Sequence, residues 1–484
     1  MIRVKNWAIV LSISLSGVVF SQSGNIPTHY TSLSENTPGN SKRSIDNFTL
    51  SAKDYLDISI NRLIDDPVLR SADWGFVLYD PKTKKIVSSY NQEKPLIPAS
   101  TTKLLTTDTA LSLLGPEFRW ITQLEYSGDI DENGVLQGNL HIVGSGDPSL
   151  GTGKAGALRY SSLANELVSA IALRGIKKVS GNIVIQNAVF KENRRELLPE
   201  NIVWMEHSNY YLPVGSTKGI DPRKEKLSIS KKNPFEESKQ YFYISPYVNK
   251  LVFADEFSGR NLDTELPTAP YYLANTLKSY LAKGGIGVVG KVEARSVDRA
   301  PETREILYTY RSPKLKEIVY DTNQRSDNAL SESLLRMVGF QKLGDQTLET
   351  GRRVVVDHLD HKGFDTSELI YIDGSGLSRS HRVTPISQAL FLAKEMEEPY
   401  YDVFFDSLPI AGQTGTLKRT FEGTGYGQIF AKTGTLNKVK TLAGYVRTDS
   451  GRLLTFSLLI NNYAGSVTQV KTKMEELLGP ISQF

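Results

Sequence analysis

The sequence predicts an α+β fold, and three observations carry that expectation. The ordered chain opens helix, strand, strand between about 50 and 90. It closes on three long helices, a hairpin and a last helix between 326 and 478. Between them, from about Tyr126 to Arg304, short strand-like pieces alternate with Gly, Pro, Asn and Asp. At 484 residues the chain is long enough for several domains, and 39% hydrophobic residues with 18 Phe, 23 Tyr and 4 Trp supply sizeable cores. Wholesale disorder is therefore not expected.

Taken in order, Arg3 and Lys5 form a short basic region ahead of the apolar run Trp7–Phe20, and small residues around Ser21 suit cleavage before Gln22. Residues 1–21 thus read as a signal peptide. The run is shorter than the roughly 20 residues that a spanning helix needs, so no stable membrane span is expected in the mature protein, which would lie outside the cytoplasm, in the periplasm. Residues 22–44, rich in Ser, Asn, Thr, Gly and Pro, read as a flexible leader. Leu50–Ile64 carries its apolar residues at helical spacing. Trp74–Tyr79 and Lys85–Tyr90 are strand-like, joined by the turn-forming Asp80-Pro-Lys-Thr-Lys84. Leu104–Leu114 is a buried helix stopped by Gly115-Pro116.

In the middle region, Val135–Val143, Lys178–Gln186, Lys226–Ser230, Gln240–Ile244 and Val248–Phe253 read as strands, with helices at Ser161–Arg174 and Tyr271–Lys283. Long helices return at Ser326–Phe340, Thr347–Leu359 and Ser387–Glu397. A strand-like run, Gln428–Leu436, precedes the hairpin Thr441–Thr448 and Arg452–Ile460, and Val467–Leu478 is helical.

Composition excludes some chemistry. There are no cysteines, which removes disulfides, thiolate metal sites, cysteine nucleophiles and a lipidated N-terminal Cys. The net charge is +4, falling by two once Arg3 and Lys5 are removed, so charge does not indicate a nucleic-acid partner.

Three polar clusters remain. Ser100-Thr-Thr-Lys103 opens the buried helix. Residues three apart share a helix face, a Ser at a helix N-terminus feels the positive end of the dipole, and a buried Lys tends to the neutral amine that can accept the Ser proton. Alone, the pattern reads more readily as an N-cap Ser and a solvated Lys, since Ser228 and Lys231 repeat the spacing. Ser326-Asp-Asn328 opens another helix, where all three residue types also serve as caps. Lys432-Thr-Gly-Thr435 lies on a predicted edge strand and suits capture of a carboxylate, though a solvated strand surface would look similar.

Together and in this order, S-x-x-K, S-D-N and K-T-G resemble the penicillin-recognising serine enzymes. The 226 residues from Ser100 to Ser326, against 104 from Asn328 to Lys432, narrow the resemblance to the class C low-molecular-mass group, the D-alanyl-D-alanine carboxypeptidase/endopeptidases similar to penicillin-binding protein 4 (peptidase family S13). Gly144-Ser-Gly-Asp-Pro-Ser-Leu150, Asp373-Gly-Ser-Gly-Leu-Ser-Arg379, Leu408-Pro-Ile-Ala-Gly412 and Leu442-Ala-Gly-Tyr-Val446 extend it over nearly the whole chain after the leader.

The resemblance implies a β-lactamase/penicillin-binding transpeptidase-like domain, an antiparallel sheet flanked by helices. This would be built from 45–125 and 303–484, with mainly β inserted domains at 126–302. It implies hydrolysis of peptidoglycan stem peptides through an acyl-enzyme, inhibition by β-lactams, and no metal or organic cofactor. Ser100 is then the nucleophile, Lys103 its base and Ser326 a proton relay to the leaving amine, while Asn328 holds the substrate amide and Lys103. Lys432 orients Ser326 and, with Thr433, Gly434 and Thr435, receives the terminal carboxylate. The N–H groups of Ser100 and Thr435 form the oxyanion hole. A diaminopimelate subsite would draw on Glu206 (near Trp204), Tyr211, Arg379 and Asn437; structural ion pairing of Glu206 and Arg379 is the alternative. His381 stands where relatives often carry Asn.

A β-lactamase is disfavoured because no further general base is evident. A catalytically idle wall-binding protein need not retain all five motif residues. Three other patterns were weighed and set aside: Asp357-His-Leu-Asp-His361 as a metal site, Gly151-Thr-Gly-Lys154 as a phosphate loop, and Thr414-Gly-Thr-Leu417, which has Gln413 where Lys would be needed, as a second active site.

Overall fold

A computed structural model describes residues 52–187, 202–205, 210–213, 241–243, 251–253, 269–295, 302–344 and 347–484. These belong to one compact unit, Leu50–Phe484. The expected signal peptide and leader and the expected strand 226–230 lie outside the described residues. Among the described residues, no helix is long and apolar enough to cross a membrane.

Helix α1 (Ala52–Ile64) buries Leu56, Ile60 and Leu63 along one face, as the spacing predicts. Strands β1 (Asp73–Asp80) and β2 (Lys85–Tyr90) follow, joined by a turn in which the Asp80 carboxylate accepts from the N–H groups of Lys82 and Thr83. A 3₁₀ turn, Ala99–Thr101, leads into α2 (Thr102–Leu114).

The excursion then begins, with β3 (Ile121–Ile130), β4 (Val135–Gly144), α3 (Tyr160–Leu173), β5 (Lys178–Val179) and β6 (Ile183–Asn187). Strands β7 (Ile202–Met205), β8 (Tyr210–Pro213), β9 (Tyr241–Tyr243) and β10 (Leu251–Phe253) make a separate sheet ordered β10-β9-β8-β7. Helix α4 (Ala269–Lys283), β11 (Gly287–Val288), β12 (Val292–Arg295) and β13 (Glu305–Arg311) complete the excursion.

The last stretch contains α5 (Leu315–Arg325), α6 (Asn328–Leu343), α7 (Leu348–His361), α8 (Pro385–Glu395) and α9 (Tyr401–Asp406). It ends with β14 (Ile429–Leu436), β15 (Val439–Arg447), β16 (Leu453–Asn461) and α10 (Val467–Leu478).

The fold is α+β. Its central sheet, ordered β14-β15-β16-β1-β2, is antiparallel throughout and joins the two ends of the chain through β1 and β16. Both faces are covered. On one, α1 and α10 pack Leu56, Ile60, Val470 and Leu477 against Phe76, Leu78, Phe456 and Leu458. On the other, Leu104, Leu111, Leu334, Leu335 and Leu392 from the remaining helices meet Tyr445 and Leu459. Strand β14 is the edge of this sheet, and the outer backbone of its first half, Ile429–Ala431, pairs with Pro409–Ala411.

The inserted sheet differs from expectation at its limits and in its pairing. Strands β3 and β13 pair antiparallel, from Tyr126 with Glu305 to Ile121 with Arg311, so the sheet takes in Ile121–Glu125 and Glu305–Arg311, beyond the expected borders at 126 and 302. Composition changes inside that span, but nothing local records which distant strands close it. Helices α3 and α4 cover the sheet through Leu163, Leu167, Leu273 and Leu277. Pairing of β4 with β5 and β6, of β5 with β11, and of β6 with β12 is parallel, as helical crossovers require.

Candidate active site

The turn Ala99–Thr101 places Ser100 ahead of α2 rather than on its first turn, and Ala99 is held at φ 48°. Left-handed backbone at a residue with a Cβ costs of order 1–3 kcal/mol and must be imposed by its surroundings. The surroundings are visible. The Thr441 hydroxyl donates to the Pro98 carbonyl at 2.7 Å, and Asn461 bonds both the N–H and the C=O of Ile97. Ser100 is half-buried, and Lys103, one turn on, is fully buried.

Lys103 Nζ lies 3.1 Å from Ser100 Oγ, 2.8 Å from Asn328 Oδ1 and 2.7 Å from the Ser375 carbonyl. The first and second clusters, 225 residues apart, therefore meet on one amine. Burial pushes the Lys103 amine down to about 8, against the opposing pull of Glu332, Asp373 and Asp327.

Ser326 does not open a helix as expected. It ends α5 with φ 56° and ψ 42°, and Asp327 is the cap of α6, accepting from the Leu330 N–H at 3.0 Å. That left-handed residue turns the chain between two helices. Lys432 Nζ sits 2.8 Å from Ser326 Oγ, so the third cluster joins the second. Lys432 is fully buried on β14, and burial, then the neighbouring Lys103 and Lys440, push its amine well below the ordinary lysine range.

Strand β14 is seated on the turn that carries Ser100. A Cβ at Gly434 would stand 2.1 Å from Thr441 Oγ1 and 2.8 Å from the Pro98 carbonyl. Gly434→Ala is expected to push the strand off that turn and slow acylation by a β-lactam at least roughly tenfold, with the circular dichroism of a folded protein, since such overpacking costs about 1–3 kcal/mol. Unchanged acylation kinetics would refute the packing argument.

The hydroxyls expected to receive a carboxylate have partners that the motifs alone do not reveal. Thr433 Oγ1 donates to Thr416 Oγ1 at 2.8 Å, so the second Thr-Gly-Thr-Leu lies beside the first. Thr435 Oγ1 accepts from Lys440 Nζ at 2.5 Å, directly across the β14–β15 ladder. Burial lowers Lys440 to about 8, with Lys471 adding to the shift. The cross-strand register of a tight hairpin could have flagged Lys440. Lys154, set aside as part of a phosphate-like loop, forms an ion pair with Asp327 at 2.5 Å and so ties the insert to the second cluster.

Of the expected side-chain subsite, Arg379 and Asn437 come together, Arg379 Nη1 donating to the Asn437 carbonyl at 2.7 Å. Glu206 lies outside the described residues, and Tyr211 is described only as part of β8, paired with Trp204. His381 is buried, 3.2 Å from Asp373, where it accepts from the Asp373 N–H. The histidines of the 357–361 run are occupied: His358 faces the buried Asp108 at 3.2 Å, and His361 lies against the Asp357 carbonyl. Among the described residues, no group of three or more His, Cys, Asp or Glu is placed to hold a metal ion.

Comparison with known proteins finds similar chains and a similar fold. The chain is 26% identical over 450 residues to the D-alanyl-D-alanine carboxypeptidase DacB of Haemophilus influenzae, covering 85% of this chain and 89% of that protein. It is 27% identical over 446 residues to the D-alanyl-D-alanine carboxypeptidase of Actinomadura sp. (strain R39), covering 84% and 81%. The crystal structure of penicillin binding protein 4 from Haemophilus influenzae superposes with a TM-score of 0.63 at 22% identity, covering 90% of this chain and all of that one. The model of the D-Ala-D-Ala carboxypeptidase 3 (S13) family matches residues 56–241 and 253–479, most of the sequence, and the chain belongs to that family.

Proposed function

We propose that Ser100 is the acylated nucleophile of a serine-type D-Ala-D-Ala carboxypeptidase and/or DD-endopeptidase acting on peptidoglycan stem peptides and inhibited by β-lactams. One observation carries the reading: a fully buried lysine amine at hydrogen-bond distance from a half-buried hydroxyl, fixed on its other sides by Asn328 and the Ser375 carbonyl.

Neutral Lys103 takes the Ser100 proton as Oγ attacks the carbonyl of the penultimate D-Ala. The N–H groups of Ser100 and Thr435 receive the oxyanion, each such donor contributing about 3 kcal/mol. Collapse expels D-Ala, or the amine of the cross-linked neighbouring stem, as Ser326 gives its proton to the leaving nitrogen and regains one from Lys103, which returns to the neutral amine. Water then hydrolyses the ester. A carboxylate bound by Thr433 and Thr435 would favour the charged form of Lys432, which burial otherwise disfavours, and Ser326 is held through that same amine. Glu206, Tyr211, Arg379 and Asn437 would flank the diaminopimelate side chain, whose amine needs an anion and whose carboxylate needs a cation.

Residues 1–21 would direct export to the periplasm, and the peptidase domain would be assembled from both sides of the insert. Purified protein is expected to release D-Ala from pentapeptide stems and to convert cross-linked dimers to monomers, followed by chromatography and mass spectrometry. No product from either substrate would overturn the assignment in favour of an idle binder.

A further inference from the structure

Glu332 follows Asn328 by one helical turn on α6, so both side chains project from the same face. Its carboxylate accepts from two consecutive backbone N–H groups, Gly374 at 3.1 Å and Ser375 at 3.0 Å. The next group along that backbone, the Ser375 carbonyl, is the one 2.7 Å from Lys103 Nζ. The loop is gripped from other sides too: the Gly374 carbonyl accepts from Thr106 and Ser331, and Asp373 accepts from the N–H groups of Gly376, Leu377 and Ser378. Glu332 is thus a single anion that touches neither Ser100 nor Lys103, yet fixes the peptide on which the lysine rests.

Resting on the reading of Ser100 and Lys103 as nucleophile and base, we propose that Glu332 is a positioning residue for that pair: its carboxylate aims the Ser375 carbonyl at Lys103 and supplies the anion that balances the amine's charge. Burial and the neighbouring Asp373 push the Glu332 carboxyl above its ordinary range, while the two N–H groups that donate to it, one on each oxygen, favour the ionised form. The charges facing Lys103 are Glu332 and Asp327 from α6 and its cap, Asp373 from the loop, and Lys432 from β14. Glu332 leads the groups opposing the effect of burial on Lys103. Asp373 is already engaged by the N–H groups of Gly376, Leu377 and Ser378, and Asp327 is engaged by Lys154.

The sign follows directly. Removing the Glu332 charge leaves desolvation less opposed, so Lys103 loses its proton at lower pH. The test is the pH dependence of acylation by a fluorescent penicillin on the full chain. In Glu332→Gln the midpoint of the acid limb is expected to fall by about one pH unit, roughly a tenfold change in the protonation equilibrium. Its plateau should fall too, because the amide must turn its NH₂ towards one of the two N–H groups. Glu332→Asp keeps the charge but withdraws it by one methylene, and should shift the midpoint less, in the same direction. A purely structural role would lower the rate at every pH and leave the midpoint in place. An unmoved midpoint in folded Glu332→Gln, or in Glu332→Asp if Glu332→Gln does not fold, overturns the proposal. Ser100→Ala, run in parallel, separates the two readings: labelling that survives there defeats the nucleophile assignment, whereas labelling lost there with an unmoved Glu332 midpoint defeats only this inference.

Discussion

Ser100→Ala is expected to abolish covalent labelling by fluorescent penicillin, a loss on the order of 10³-fold or more, because it removes the hydroxyl that faces Lys103, whereas the hydroxyls of Ser326 and Thr435 face Lys432 and Lys440 and serve proton relay and carboxylate binding in the proposed mechanism. The Ser100 hydroxyl is half-buried, and the bond described for its side chain is the one with Lys103 at 3.1 Å. Its loss should therefore cost less than about 1 kcal/mol of stability, and the variant should stay folded. Mass spectrometry of the wild-type adduct should place the acyl group on the peptide containing Ser100. Undiminished labelling of Ser100→Ala, or an adduct on another peptide, would relocate the nucleophile and with it the proposed mechanism.

The second large effect is at Lys103. Since burial lowers its amine to about 8, the side chain is charged below that pH and neutral above it, and only the neutral form can accept the Ser100 proton. Wild-type acylation should accordingly rise as pH increases through about 8 and then level off. Lys103→Met, of similar length but without the amine, should slow acylation by roughly 10²–10⁴-fold, the usual contribution of a positioned base, and the limb near pH 8 should vanish from the residual rate. Fold should survive: the Ser375 carbonyl loses a donor, at about 1–3 kcal/mol, while a costly buried amine is also removed. A limb that persists near 8 in Lys103→Met would assign the titration to another group, with Lys440, also lowered to about 8, the first to examine.

Much of the fold was legible wherever a segment's own pattern decides its structure. The spacing of Leu56, Ile60 and Leu63 describes α1, and the hairpin at 441–460 and the helix at 467–478 fall where their residue patterns put them. Two helices, α5 and α9, are not evident from the sequence pattern. Helix α5 carries buried apolar residues only in its first half, Leu315, Ile318 and Val319, and then buries Asp321, Thr322, Asn323 and Gln324 against partners in other elements, such as Ser407, so the apolar spacing stops before a helix is evident. Helix α9 spans only six residues, too few for a period to register.

The site divides in the same way. Residue identity and order supplied Ser100, Lys103, Ser326, Asn328 and Lys432, because a hydroxyl, an amine and a strand lysine keep their chemistry wherever the chain places them. Contacts made through backbone groups or distant side chains were not legible: the Ser375 carbonyl under Lys103, Glu332 beneath that carbonyl, Thr416 beside Thr433, and Lys154 on Asp327. The amino-acid order by itself determined which groups could do acyl transfer and which segments would coil or extend, since both depend on local chemistry. Tertiary structure alone decided that a peptide carbonyl and a buried carboxylate govern the lysine, because proximity across more than 200 residues and the loss of water around a charge exist only once the chain has folded.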